Sequence, residues 1–228
     1  MQLEGRLKLI ADLVPHCATL ADVGTDHGYI PIYCAQQEIC RKAIAMDVNA
    51  GPLKRADINI NKYGFEGKIE TRLSDGLQNL QPGEADTIVI AGMGGQLIMN
   101  ILDAGNNAIT PDTLLILQPM LAAKELREYL YANGFEITGE HVIREENKFY
   151  NIIAAQRGSY TPDASDIYIG RNLSKNSPEV YAEYLNYKIR VNSKILDGLQ
   201  RSNTDKSEEI DLVQRELDIF KEALDNEN

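Results

Sequence analysis

Apolar residues recur at Leu3, Leu7, Ile10 and Val14, a three-and-four spacing that predicts an amphipathic helix over 3–14, ended by Pro15. Arg6 lies beside that stripe. From residue 18 the period shortens. Ala18, Leu20, Ala21 and Val23 form a brief buried strand that breaks at Gly24 and Gly28 into a turn, and a helix is expected over 29–38. Further strands are predicted at 42–47, 68–73, 86–91 and 113–120, with helices at 50–62, 96–102 and 121–132 between them. The strand at 86–91 is the most continuously apolar, which places it centrally. Strands at 135–144 and 148–155 are separated only by Glu145, Glu146 and Asn147, too few for a helix, so this pair must be antiparallel.

Residues 157–177 are polar and rich in turn formers. Beyond them Ala182, Leu185, Ile189, Asn192, Leu196 and Leu199, then Ile210, Val213, Leu217, Phe220 and Leu224, again step three and four apart. Two helices joined near 202–205 are implied, an antiparallel coiled-coil hairpin capped by Ser177, with Pro178 in its first turn and Asn192 as a register-setting polar core position. The expected division is 1–158, a connecting segment 159–177, and the hairpin 178–228. The fold class is α/β, a mostly parallel seven-stranded sheet with an antiparallel last strand plus the helical hairpin. Five strand–helix units followed by a strand–turn–strand return is the order of Rossmann-like class I methyltransferases; nicotinamide-binding domains usually finish with another parallel unit.

With 43% hydrophobic and 25% charged residues, the 228-residue chain has the composition of a soluble globular protein, and it has no apolar run resembling a membrane span or secretory signal. A cytoplasmic protein without membrane association is expected. Cys17, Cys34 and Cys40 are odd in number and lack C-x-x-C spacing, so buried thiols are expected and neither disulfides nor a metal site. A net charge of −11 argues against bulk attraction to nucleic acid. Distribution can override the total, because Arg6, Lys8, Arg41, Lys42, Lys54, Arg55, Lys62, Lys68 and Arg72 would hold a phosphate backbone if they gather on one face.

The candidate chemistry centres on Asp22-Val-Gly24-Thr25-Asp26-His27-Gly28-Tyr29. Asp26 and His27 stand where a pyrophosphate would require glycine, so the loop is not the dinucleotide fingerprint G-x-G-x-x-G, and a cofactor without phosphates fits better. S-adenosylmethionine is such a cofactor. Asp47, at the end of the second strand, is placed for its ribose hydroxyls, and Asp75 with Gly76, after the third, for its adenine. The turn Gly92-Met93-Gly94-Gly95 after the fourth strand allows close backbone approach where a methyl acceptor would meet the donor. Gln118 ends the fifth strand facing the same crevice. Asp26 is the candidate acceptor or base, with His27 as its competitor, and Tyr29 the candidate stacking residue.

Several segments together resemble the bacterial tRNA adenine-N1 methyltransferases of the TrmK type: Asp22 to Pro31, Ala45-Met-Asp47, Ser74-Asp-Gly76, Ala91-Gly-Met-Gly-Gly95, Leu117-Gln-Pro119 and Lys148-Phe-Tyr150, with the helical hairpin after them. The resemblance spans nearly the whole chain. It implies methylation of N1 of adenine 22 in the tRNA D-loop with S-adenosylmethionine as donor; separately, a monomer is expected, though the sequence itself does not fix the oligomeric state. The alternative is a class I methyltransferase acting on a protein or small molecule, since the cofactor half of such a fold does not fix the acceptor.

Overall fold

Seven strands in one sheet set the architecture. In a computed structural model describing residues 1–175, 177–202 and 204–226, they are β1 (Cys17–Val23), β2 (Cys40–Asp47), β3 (Ile69–Leu73), β4 (Thr87–Met93), β5 (Leu114–Pro119), β6 (Phe135–Glu145) and β7 (Lys148–Arg157). Asn176, Asn203, Glu227 and Asn228 lie outside the described residues, and with them one position each of the expected connection and helix–helix turn, and the end of the hairpin. The sheet order is β3-β2-β1-β4-β5-β7-β6. Strands β1 to β5 pair in parallel, and β7 runs antiparallel to both β5 and β6.

Helices α1 (Gly5–Asp12), α2 (Tyr29–Gln36) and α3 (Ala50–Tyr63) cover one face, and α4 (Gly95–Ala104) and α5 (Ala123–Ala132) the other. Leu20, Ala45, Val89 and Ile116 face the α1–α3 layer, while their neighbours Ala21, Ile44, Ile88 and Leu117 face the α4–α5 layer. That two-sided burial is why these strands read as apolar runs rather than as alternation. Cys34 and Cys40 are buried free thiols and Cys17 is half-buried.

Three boundaries shift for backbone reasons. The fourth strand continues to Met93 through an irregularity between Ala91 and Met93, so part of the glycine turn belongs to the sheet. The second helix ends at Gln36 because Glu38 takes a left-handed φ of 58°. The fifth begins at Ala123, not 121, because Ala122 has φ 60° and holds Met120 and Leu121 outside it.

The polar segment after residue 158 contains a short α6 (Ala164–Tyr168), which the residue pattern did not predict. Asp163 accepts the Asp166 amide at 2.9 Å while the Asp166 carboxylate accepts the Asp163 amide at 3.2 Å, a capping box built from two aspartates. Ile169 and Leu173 then enter a third core with Val142, Tyr181, Tyr184, Leu185 and Phe220. This core joins the sheet to α7 (Pro178–Gln200) and α8 (Ser207–Asp225). Pro178 opens α7, but Ser177, at the N-cap position, makes no side-chain cap bond. Buried Asn192 donates to Glu216 of α8 at 3.3 Å, and Lys124 of α5 reaches the same carboxylate at 3.2 Å.

At the root of this layer Arg127 and Glu140 are a fully buried ion pair, 1% and 0% exposed, with Nε and Nη2 each 2.9 Å from the carboxylate. Gly170 permits it: a Cβ there would lie 2.7 Å from Glu140 Oε2. On the outermost strand, Arg171 donates to the Ile137 carbonyl at 2.7 Å. No helix among the described residues is long and apolar enough to cross a membrane.

Candidate active site

Strand β1 lies between β2 and β4, where the strand order reverses, and a crevice opens at the carboxyl ends there. Its floor is the turn after β1. The amides of Gly24 and Thr25 both donate to the Met46 carbonyl, at 2.8 and 2.9 Å, folding the turn across the end of β2. Gly24 has φ 78°, a left-handed conformation that favours glycine, and a Cβ on it would lie 2.1 Å from the terminal methyl of Met93, a flexible side chain that would have to move aside.

A cavity of about 400 Å³ is lined by Arg6, Leu7, Asp22, Gly24, Thr25, Asp26, His27, Tyr29, Ile30, Ala91, Gly92 and Gln118. Eight of the residues selected from the sequence therefore share one wall: Asp22, Gly24, Thr25, Asp26, His27, Tyr29, Gly92 and Gln118. Met93 and Gly94 stand just behind it. Gly28 starts α2 with φ 68° and packs against Ala56. Asp47 and the Asp75–Gly76 turn do not line the cavity; they end the neighbouring strands along the same sheet edge, tied together by the Ser74 amide donating to the Asp47 carbonyl at 2.9 Å.

Asp22 is 6% exposed, and burial pushes its carboxyl up to about 6, with the charge of Asp47 adding to the rise. The folded chain therefore holds a proton that the unfolded chain has already lost, and stability falls as pH rises from about 4 to about 6. Over that span the loss amounts to about 3 kcal/mol at most. Asp22→Asn removes the cost. Thermal melts at pH 7.5 are expected to show the variant more stable than the parent, and melts at pH 4 to show no difference; equal melting at both would mean that Asp22 is not burdened by burial.

Asp26 is exposed and accepts hydrogen bonds from Arg55 of α3, through Nε at 3.0 Å and through Nη2. That guanidinium holds its carboxyl below the usual range. His27 Nε2 lies 3.3 Å from the other carboxylate oxygen, and the imidazole stacks on Tyr29, centroids 5.0 Å apart and planes 10° from parallel. Gln118 is fully buried; its Oε1 accepts the Gly92 amide at 3.1 Å and its Nε2 donates to the Pro119 carbonyl at 3.0 Å, so the side chain braces the glycine turn.

Arg6 also lines the wall, a residue that the sequence placed only among the cations available to a phosphate backbone. It is held by Glu145, the last residue of β6, at 2.5 Å and lies over the Tyr150 ring, 4.9 Å from the centroid. The available signal was a cation beside the apolar stripe of the first helix; its partners are 139 and 144 residues away. Arg55 was missed as a partner for the same reason.

This arrangement has counterparts among known proteins. A methyltransferase-domain family model matches residues 3–153. The tRNA (adenine(22)-N(1))-methyltransferase of Bacillus subtilis is 31% identical over 235 aligned positions, spanning 99% of this chain and 98% of its own. The crystal structure of the B. subtilis m1A22 tRNA methyltransferase TrmK matches with a TM-score of 0.88 at 30% identity, covering 98% of this chain and 99% of that one. The chain belongs to the TrmK family. Within it, Streptococcus pneumoniae Sp1610, a putative tRNA (m1A22) methyltransferase solved in complex with S-adenosyl-L-methionine, gives a TM-score of 0.86 at 34% identity, covering 98% of this chain and all of that one. The similarity to TrmK proteins includes the C-terminal helical pair as well as the sheet.

Proposed function

We propose that this protein transfers the methyl group of S-adenosylmethionine to N1 of adenine 22 in tRNA. Whole-chain similarity to the B. subtilis enzyme carries the reading. The residues present suit the donor. The crevice is within the size range of small-molecule sites, its glycines Gly92 and Gly94 have open space where a Cβ would be, and carboxylates line it or end the adjoining strands. Asp22, Gly24, Thr25, His27 and Gly28 would hold the amino-acid portion, Asp47 the ribose hydroxyls, Asp75 and Gly76 the adenine, and Gly92, Met93 and Gly94 the region of the sulfur. When bound, the donor supplies a methyl group on a cationic sulfonium.

Adenine N1 carries an in-plane lone pair and needs no strong base, so the work left to the protein is alignment. A carboxyl kept ionised by Arg55 suits an acceptor for the exocyclic amine better than a base, which favours Asp26 as an orienting group. Tyr29, stacked on His27, offers a flat platform for the purine. Gln118 fixes the Gly92 amide and thereby the shape of the floor. The proposed place of the reaction is the cytoplasm, where tRNA and donor meet.

The test is transfer of labelled methyl to tRNA from cells lacking this protein, followed by nucleoside analysis. N1-methyladenosine is expected, and none in tRNA with guanosine at position 22. Donor binding without tRNA labelling would move the acceptor to a protein or small molecule.

A further inference from the structure

Residues 117–123, Leu-Gln-Pro-Met-Leu-Ala-Ala, carry no charge in a strongly acidic chain. Gln118 and Pro119 are buried, but the next two side chains turn outward. Met120 is 39% exposed and Leu121 76%, more than any other large apolar side chain described, and Leu97 in the first turn of α4 is 50% exposed. The backbone beneath them is firmly held. The Met120 amide donates to the Met93 carbonyl at 2.8 Å, and the Leu121 carbonyl accepts the Gly95 amide at 2.9 Å. Ala122 adopts a left-handed conformation that residues with a side chain seldom take. Gly95 allows the close approach, since a Cβ on it would lie 2.6 Å from the Ala122 carbonyl oxygen.

The loop is thus locked onto the Gly92–Gly95 turn, whose Gly92 lines the crevice. A leucine fixed in water gains nothing from the fold, because its apolar surface stays hydrated. Held in place beside the crevice turn, that surface is open to a partner. The inference that follows rests on the reading of this crevice as a tRNA adenine site. Adenine 22 lies inside the folded core of tRNA and must leave its stack to reach the crevice. Opening a stack leaves a gap between flat apolar faces, and proteins that do so fill it with an apolar side chain. An uncharged loop suits that gap; a phosphate would call for cations.

We propose that Leu121, next to Met120 on this loop, is a wedge that enters the tRNA stack where adenine 22 has left it and keeps the base turned into the crevice. Leu121 is a positioning residue that touches the substrate's neighbours and not the reacting atoms.

The experiment compares the full chain with Leu121→Ala and Leu121→Phe on two substrates, intact tRNA and the same tRNA made abasic opposite adenine 22, under single turnover. Donor affinity and melting temperature, measured alongside, are expected to match the parent in both variants, since Leu121 belongs to no core. With intact tRNA, Leu121→Ala should lose about 30- to 100-fold in rate and Leu121→Phe should stay within about threefold. With the abasic tRNA, where leaving the stack costs less, Leu121→Ala should recover to within about threefold of the parent. Equal loss on both substrates, or no loss on intact tRNA, overturns the wedge while leaving the tRNA reading intact. A parent protein that forms no N1-methyladenosine on either substrate overturns both.

Discussion

Asp26→Ala is expected to slow methyl transfer to tRNA by about 10- to 100-fold while donor affinity stays at the parent value, the loss corresponding to one hydrogen bond to a charged group. The carboxylate is held by Arg55 at the mouth of the crevice and its carboxyl is kept below the usual range, so under the proposed function it would accept from the adenine amino group and fix the direction of the N1 lone pair. Asp26→Asn separates the two possible roles. An amide keeps an acceptor oxygen but cannot take a proton, so an orienting role predicts that Asn retains much of the rate that Ala loses. A base predicts that both lose equally. Activity should also lack an acid limb near neutrality arising from Asp26, because its carboxyl titrates below the ordinary range. Weakened donor binding in either variant would instead place Asp26 against the cofactor.

Arg127→Met should cost about 3–5 kcal/mol of folding stability, the penalty for leaving a buried carboxylate without its partner. Glu140 is fully enclosed and burial pushes its carboxyl up; the guanidinium on it pulls the other way but does not undo the rise. For a chain of this size the loss reads as on the order of 10 °C in melting temperature. The double variant Arg127→Met with Glu140→Leu should recover most of it, since two apolar groups then fill the space of two compensated charges. Recovery will be incomplete, because Glu140 also accepts the Arg171 amide at 3.2 Å and Arg127 also donates to the Ile167 carbonyl at 3.2 Å. A single variant that melts within 2 °C of the parent would show that the pair is replaceable by water.

The sheet was legible in the sequence because doubly buried strands leave apolar runs such as 87–91 and 114–117, punctuated by glycines that the backbone needs. The two short-linked strands at the end of the sheet fixed its antiparallel member by chain length alone. What stayed hidden was whatever depends on meetings between distant residues. Arg6 and Glu145 or Arg127 and Glu140 are each unremarkable charges in their own segments, and Arg55 gives no sign that it meets Asp26. Gln118 was legible as a crevice residue but not as a brace, since its bond to the Gly92 amide follows from the turn after β4. The helix at 164–168 escaped because five residues carry too little periodicity, and its two-aspartate cap lacks the usual Ser or Thr followed by Glu. The left-handed Ala122 has no sequence signal at all.

The outermost strand, β6, carries a further consequence. An open sheet ends in a row of unpaired amides and carbonyls that invites another chain to add itself. Here the register slips between Ile137 and Gly139, Arg171 occupies the Ile137 carbonyl, and α7 is joined to the strand through Val142, Tyr181 and Leu185. The residues after 158 therefore act as a guard against self-association, whatever else they touch. A chain cut there would expose the strand and the apolar surface beside it to pairing with another copy.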